Sequence, residues 1–533
     1  MLWRRVTAVY AALVGLFALG VCRLYLAAGN TAYAARAAGQ SAVTIEMPAR
    51  RGNFYDCGGQ LLTGLSERWQ ALCLPGEDSY VRLYDAASPE GQAELYRRRN
   101  AASPFLLTVE RKAAGLYAWP TARRYCAAPL CQHLIGYLDG EGRGAAGLEA
   151  ALDGVLAGSG GHDTVTCAVT GRGTLVEGTE PAYTAAPFDG AGVQLTISRA
   201  VQRAAEGVAA ETMTSGCILV LDVETAEVRA SVSLPGYDPE KVADSLDAAG
   251  SPLVDRTLAA YAAGSVFKPV VAAAALEAGL DGLWVDCPGY TEVDGQVFRC
   301  ASGTAHGQVD LAAALEKSCN GYFIRLGQVV GAERLLAAAR ALGFGQRTAV
   351  AGALHGAAGA LPKEDTLAQA GQLANFSFGQ GELLVTPLQV AGMMNAIAAG
   401  GVWRAPSFVL GTVDEASGAV LETAARPAAR RAVSEQTAAR LRALLAGVVS
   451  GEGATGRQAA PVHGSAAGKS GTAQTGQFTP DGQEKMNLWF AGFCPADDPQ
   501  YTVVVMQDGQ TAPAYSSAAI FGQVCEALWL LEQ

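Results

Sequence analysis

The chain has 533 residues, half of them hydrophobic, and carries 39 basic against 50 acidic side chains for a formal net charge of −11. That length predicts several domains, each large enough to bury its own core. The acidic balance and the lack of any basic stripe exclude nucleic acid as a partner.

The chain opens Met-Leu-Trp-Arg-Arg, after which Val6 to Cys22 runs seventeen residues without a charge. At the rise of a helix this covers roughly 26 Å, and a snorkelling Arg23 extends the span through Ala28. Residues 6–28 are therefore read as a transmembrane anchor. Arg4 and Arg5 on the short side make residues 1–5 a cytoplasmic tail and place the rest outside the membrane. The rival reading is a signal peptide cut at Ala32-Tyr33-Ala34, which Arg23 and the long gap after the apolar run disfavour.

Residues 40–190 carry short β-like runs, charged patches and Gly turns, with no constellation that looks catalytic. Arg51 to Leu62 reads as strand, Gly turn and strand. A boundary falls near Asp189–Gly192, and residues 193–533 form the second domain. There Gln194 to Ile197 reads as a strand leading into a helix. Cys217–Leu221 and Glu227–Val232 read as a hairpin turned at Glu224-Thr225. Residues 255 to 460 are mostly helical in pattern. Leu488–Phe493 and Tyr501–Met506 return to strands, and a helix from about Ser516 to Leu531 closes the chain. Strands at both ends with helices between predict an α+β domain built on one antiparallel sheet.

Twelve cysteines occur, and disulfides are permitted outside the membrane. Cys287, Cys300 and Cys319 are close in sequence and are candidates for a disulfide, while most of the others are expected as buried small hydrophobes. Cys126, Cys131 and His133 make half a zinc pattern without a second half. No metal-ligand set and no phosphate loop is recognised, so neither metal nor cofactor is expected. His306 and His463 read as hydrogen-bonded histidines near turns.

Three short motifs carry chemistry. Ser265 and Lys268 stand three apart where a Gly264 turn gives way to the Ala-rich run Val270–Gly279, so hydroxyl and amine share one helix face. Ser318-Cys319-Asn320 lies at a helix-to-loop junction. Lys469-Ser470-Gly471-Thr472 opens a strand in which Gly471 admits close backbone approach. Each arises by chance in long chains, but the three together in this order are specific.

Ser-x-x-Lys, Ser-x-Asn and Lys-Ser-Gly resemble the three motifs of the penicillin-binding proteins and serine β-lactamases. The likeness extends to Ser233-Leu-Pro-Gly-Tyr-Asp-Pro239, Asp255-Arg256, Phe378-Gly-Gln-Gly381, Thr386-Pro-Leu-Gln389 and Leu488-Trp-Phe-Ala-Gly-Phe493. The Arg51-Gly52 segment and Gly147-Leu-Glu149 resemble the linker or dimerisation domain of the class B members. Ala263 departs from the Pro often found before Gly-Ser, and Cys57-Gly58 from a common Arg-Asn.

The resemblance implies a peptidoglycan D,D-transpeptidase that cross-links stem peptides through an acyl-enzyme. Ser265 is then the nucleophile, Lys268 its base with a pKa lowered by nearby positive charge and desolvation, and Ser318 the relay to the leaving amine. Asn320, Lys469, Ser470, Gly471 and Thr472 bind the substrate, and the backbone N–H groups of Ser265 and Thr472 form the oxyanion hole. Implied partners are D-Ala-D-Ala stem peptides, β-lactam antibiotics, a membrane-embedded glycosyltransferase and a second copy of the chain in a homodimer. The implied setting is the bacterial cell membrane, in division, cell shape or sporulation. Alternatives are a β-lactamase or D,D-carboxypeptidase, in which water replaces the acceptor amine, or a non-catalytic β-lactam sensor or divisome scaffold.

Overall fold

A computed structural model of the chain describes residues 1–32, 39, 41–112 and 114–533. Tyr33 and Ala34 of the alternative cut site, and most of the connector up to Gln40, lie outside the described residues. Leu2–Ala28 forms one continuous helix, α1, with a mean hydropathy of 2.0 over its apolar window and none of that window buried. Its 27 residues rise about 40 Å, enough to cross a membrane.

The chain divides into two compact units, and neither is a continuous stretch. The smaller takes 1–50, 65–124 and 159–189, the larger 51–64, 125–158 and 190–533. Two pieces of the region expected as one domain over 40–190 thus pack with the larger unit. The reason is local and specific. Arg51 donates to the Glu149 carboxylate at 2.7 Å, to the Glu149 carbonyl at 2.9 Å and to Asp153 at 2.6 Å, while Tyr125 donates to the other Glu149 oxygen at 3.2 Å. Gly52 donates its N–H to the Leu156 carbonyl at 2.8 Å, and a Cβ there would come within 2.0 Å of the Ala191 carbonyl oxygen. Phe54 then pairs in parallel with Val193. Of the strand–turn–strand expected over 51–62, only the strand Phe54–Tyr55 and a single bridge from Tyr55 to Leu61 form.

Within the smaller unit, the strand Ser66–Cys73 is flanked by Phe105–Val109 and Ala118–Arg123, and the helices Glu77–Ala86 and Pro89–Arg97 cover one face. Ala71, Cys73, Leu83, Leu95, Phe105 and Leu107 form its apolar centre. A separate three-stranded sheet joins Ala42–Glu46, Thr164–Ala168 and Ala182–Thr184.

The larger unit is built on a five-stranded antiparallel sheet. In chain order its elements are α2 (Arg199–Thr212), β1 (Gly216–Asp222), β2 (Val228–Leu234), α3 (Lys268–Glu277), α4 (Leu311–Glu316), α5 (Asn320–Val330), α6 (Pro387–Ala398), α7 (Glu435–Ser450), β3 (Ala467–Phe478), β4 (Glu484–Cys494), β5 (Tyr501–Gln510) and α8 (Ser517–Leu531). The sheet order is β2-β1-β5-β4-β3. The first and last strands of the sheet in chain order, β1 and β5, therefore lie together, as the sequence pattern implies, and the helical stretch between them closes one face.

Runs such as Ile218-Leu-Val-Leu221 and Val503-Val-Val-Met506 are apolar without alternation because both faces of the sheet are buried. Leu219, Leu221, Trp489, Ala491, Val504 and Met506 join the helical core with Val270, Val271 and Met393. Ile218, Val220, Phe490, Val503 and Val505 pack on the other side against α2 and α8 through Val201, Ala205 and Phe521. Every residue of α6 is buried, and its start is set by a capping box between Thr386 and Gln389 with Pro387 in the first turn.

Candidate active site

Gly264 begins a single 3-10 turn, Gly264–Phe267, that leads directly into α3. Its φ of +58° is one that side chains resist, and a Cβ there would stand 2.4 Å from the Thr472 carbonyl oxygen. Its N–H is held by the Gly379 carbonyl at 2.8 Å. From the sheet side, Trp489 donates its indole N–H to the Ala262 carbonyl at 3.1 Å. The turn that presents Ser265, which is partly exposed, is thus fixed from before and behind.

Strand β3 runs against the same turn. Residues 469 and 471 share one face of the strand by its two-residue period. A Cβ on Gly471 would lie 2.8 Å from Val266 Cγ1 and 3.0 Å from the Val266 nitrogen. The missing side chain is what lets this strand lie along the Ser265 turn. On the opposite face Ser470 is half-buried and Thr472 exposed.

Lys268 is fully buried at the first position of α3. Its ammonium donates to the Ser318 carbonyl at 2.7 Å, to Ser318 Oγ at 3.1 Å and to Asn320 Oδ1 at 2.8 Å, and it lies 5.3 Å from the centre of the Phe323 ring. Ser318 reaches this position in the left-handed region, at φ +53°, an unfavourable backbone held by the packing around it. Asn320 is engaged on both sides of its amide, since Nδ2 also donates to the Arg299 carbonyl at 3.0 Å.

Burial lowers the Lys268 pKa to about 7. Of the two expected causes, desolvation is the one that acts; no neighbouring cation contributes to the lowering, and Cys319 and Cys300 oppose it. Lys469 is equally buried and is pushed well below the ordinary lysine value, first by burial and then by repulsion from Lys268. Its ammonium donates to the Ser470 carbonyl at 3.0 Å and Ser470 Oγ at 3.3 Å. Ser470 Oγ in turn donates to Thr455 Oγ1 at 2.9 Å, and Thr455 is tied to the Glu316 carbonyl. Two buried amines in one site make it a place for anionic ligands and for one amine to give up its proton.

The motifs thus meet as follows: Lys268 touches Ser318 and Asn320, Thr472 abuts the turn of Ser265, and Lys469 feels the charge of Lys268. Thr455 and the Arg299 carbonyl also shape the site and carry no motif signal, since each contributes through backbone or a common side chain from a distant loop. Gly379 lies in the Phe378-Gly-Gln-Gly381 stretch, to which the sequence pattern alone gives no role in the site.

Two further readings change, that of the disulfide and that of the metal-ligand set, while the other half-pattern and His463 keep theirs. Cys287, Cys300 and Cys319 are free thiols, with Sγ atoms 3.7 Å apart for Cys287–Cys300 and 4.0 Å for Cys300–Cys319, against about 2.05 Å in a disulfide. The chain reads as lacking a metal-ligand set, but the structure gathers these three thiols with His306. Treating His306 together with the cysteines, as Cys-x12-Cys-x5-His-x12-Cys, was the available signal. In the other half-pattern, His133 bonds the Pro252 carbonyl at 2.7 Å and Cys126 bonds the Ala128 carbonyl at 3.2 Å. His463 lies far from these groups in role: it pairs with Glu526 and stacks on Trp529.

A deep sheet-and-helix fold with a serine turn against an edge strand and a buried lysine defines the class of serine acyl-transferring, penicillin-recognising domains. Residues 216–526 match the family described as penicillin binding protein transpeptidase domain, and the chain belongs to that family, in its class B branch. It is 33% identical over 437 residues to penicillin-binding protein PbpB of Mycolicibacterium smegmatis, covering 77% of this chain and 65% of that protein. It is 31% identical over 411 residues to stage V sporulation protein D of Bacillus subtilis, covering 74% of this chain and 61% of that protein. The chain therefore spans less than two thirds of the length of these relatives. A crystal structure of penicillin binding protein 3 from Mycobacterium tuberculosis complexed with aztreonam superposes with a TM-score of 0.66 at 27% identity, over 92% of this chain and 97% of that one.

Proposed function

We propose that the chain is a membrane-anchored peptidoglycan D,D-transpeptidase that works through an acyl-enzyme on Ser265. The observation that carries this reading is Lys268, fully buried, lowered to about 7 and held on Ser318 and Asn320 three residues after Ser265. At neutral pH a large share of such amines is uncharged and can act as a base, where an ordinary lysine near 10.4 cannot.

In the first half-reaction Ser265 Oγ bonds to the carbonyl carbon of the penultimate D-Ala while its proton passes to Lys268. The backbone N–H groups of Ser265 and Thr472 receive the oxyanion, a contribution of about 3 kcal/mol per donor in serine hydrolases. The C–N bond to the terminal D-Ala breaks, and the proton returns through Ser318 to the leaving amine. In the second half-reaction the amine of another stem peptide attacks the ester, loses a proton by the same route, and restores Ser265. Lys469, Ser470 and Thr472 take the terminal carboxylate, and Asn320 with Gly471 lines the peptide backbone. A β-lactam imitates D-Ala-D-Ala and leaves Ser265 acylated.

α1 supports an anchor in a bacterial cell membrane. Arg4 and Arg5 support a cytoplasmic N-terminus with residues 40–190 as a linker or dimerisation region and residues 193–533 as the catalytic domain outside. Glycan strands then come from a membrane-embedded glycosyltransferase. The test is covalent labelling of the full chain in detergent by a fluorescent penicillin, with Ser265→Ala beside it. Stable label on the wild type alone supports the reading. No label overturns it, and rapid loss of label assigns a β-lactamase instead.

A further inference from the structure

Three thiols and one imidazole that acyl transfer leaves unused converge at the N-terminus of α5. Cys287 ends the strand Val285–Cys287, Cys300 follows the hairpin of Tyr290–Val293 and Gln296–Arg299, His306 precedes the strand Gly307–Val309, and Cys319 caps α5. Backbone bonds clamp the segments that carry them: the His306 N–H donates to the Cys287 carbonyl and the Cys300 N–H to the Gly289 carbonyl, both at 2.9 Å. One ligand atom from each of the four residues lies within 4.8 Å of all the others. Cys287, Cys300 and Cys319 are at most 3% exposed.

The spacing of these atoms is that of a coordination sphere. Tetrahedral zinc bonds sulfur at about 2.3 Å and imidazole nitrogen at about 2.0–2.1 Å, which places sulfurs about 3.8 Å apart and sulfur about 3.6 Å from nitrogen. The pairs here measure 3.7 Å for Cys287–Cys300, 4.0 Å for Cys300–Cys319 and 3.6 Å from Cys287 Sγ to His306 Nδ1. The Tyr322 N–H donates to Cys319 Sγ at 3.4 Å, a bond that orients this sulfur. Gly321 keeps the space open, since a Cβ there would lie 2.7 Å from Thr291 Oγ1 and 3.4 Å from Cys287 Sγ.

We propose that Cys287, Cys300, His306 and Cys319 bind a single zinc ion in a closed Cys3His site. Binding releases the three thiol protons to solvent and forms three Zn–S bonds and one Zn–N bond, with no redox change. Soft thiolates in a tetrahedral arrangement select zinc over magnesium or calcium. Four protein ligands leave no open position, so the ion is structural and not a catalyst. It acts on the site through Cys319, whose neighbours on either side are Ser318 and Asn320, and it keeps the thiols from oxidising in an extracytoplasmic setting. This goes beyond the transpeptidase reading and does not depend on it.

The test is metal analysis of the full-length chain purified in detergent, with the Cys287→Ser and His306→Ala variants. The wild type is expected to carry one zinc per chain and each variant to lose most of it. Because a variant can fail to fold, the wild type is also exchanged with Co2+ after mild chelation and thiol reduction. Tetrahedral d–d bands and cobalt–thiolate charge-transfer absorption are expected. Their absence overturns the site, as does full zinc retention in both variants. Peptide mapping that finds a Cys300–Cys319 disulfide in metal-free native chain overturns it too.

Discussion

Lys268 Nζ donates to the Ser318 carbonyl at 2.7 Å, so the base of one motif is held by the backbone of another 50 residues away. That carbonyl, Ser318 Oγ and Asn320 Oδ1 all accept from the amine, and Ser318 takes a left-handed conformation to offer them. The contact orients an amine that burial has already discharged in part.

The first prediction concerns pH. With Lys268 at about 7, its base form is lost as pH falls through neutrality. The second-order rate of acylation by a fluorescent penicillin is expected to rise about tenfold per pH unit below that value and to level off above it. An inflection near that of a free lysine would remove Lys268 as the base.

Substituting Lys268→Arg keeps positive charge and stem but provides no accessible neutral form. Acylation is expected to fall by about 10^2–10^4-fold, the range of a lost general base. Circular dichroism of the variant should stay close to the wild type. A variant that labels at the wild-type rate would contradict the assignment.

Gly264→Ala introduces a Cβ 2.4 Å from the Thr472 carbonyl oxygen at a φ of +58°. Neither a backbone oxygen nor a strained φ yields easily, so the Ser265 turn and β3 must separate. A cost of about 1–3 kcal/mol is expected for such overpacking, seen as a lower denaturation midpoint together with slower acylation. The same change at Gly482, with φ of +82° and nothing within 4 Å of its Cβ, should leave acylation unchanged.

Arg51→Ala leaves Glu149, whose side chain is 0% exposed, without its buried cation. Removing one member of a buried pair costs about 3–5 kcal/mol. Denaturant unfolding of the full chain in detergent should show that loss. Replacing Arg143, whose side chain is 66% exposed beside Asp139, should leave the denaturation midpoint close to that of the wild type, because solvent screens such a pair.

Much of this chain is decided within short windows of sequence. The uncharged run behind Arg4 and Arg5 makes α1, Ile218–Leu221 and Val503–Met506 make buried strands, and a glycine before the Ala-rich run sets Ser265 in a tight turn that leads into α3, where Lys268 stands first. Hydrophobic period and turn chemistry are local, so they can be read before folding. Tertiary structure alone decided what depends on distant segments meeting. The return of β3 against the Ser265 turn explains Gly264 and Gly471 together. The enclosure of Lys268 sets its proton affinity, through desolvation that no local pattern encodes. Arg51 finding Glu149 assigns residues 51–64 and 125–158 to the larger unit. The meeting of Cys287, Cys300 and Cys319 with His306 turns four scattered side chains into one coordination sphere, because strand pairing and the cap of α5 bring their ligand atoms within 4.8 Å.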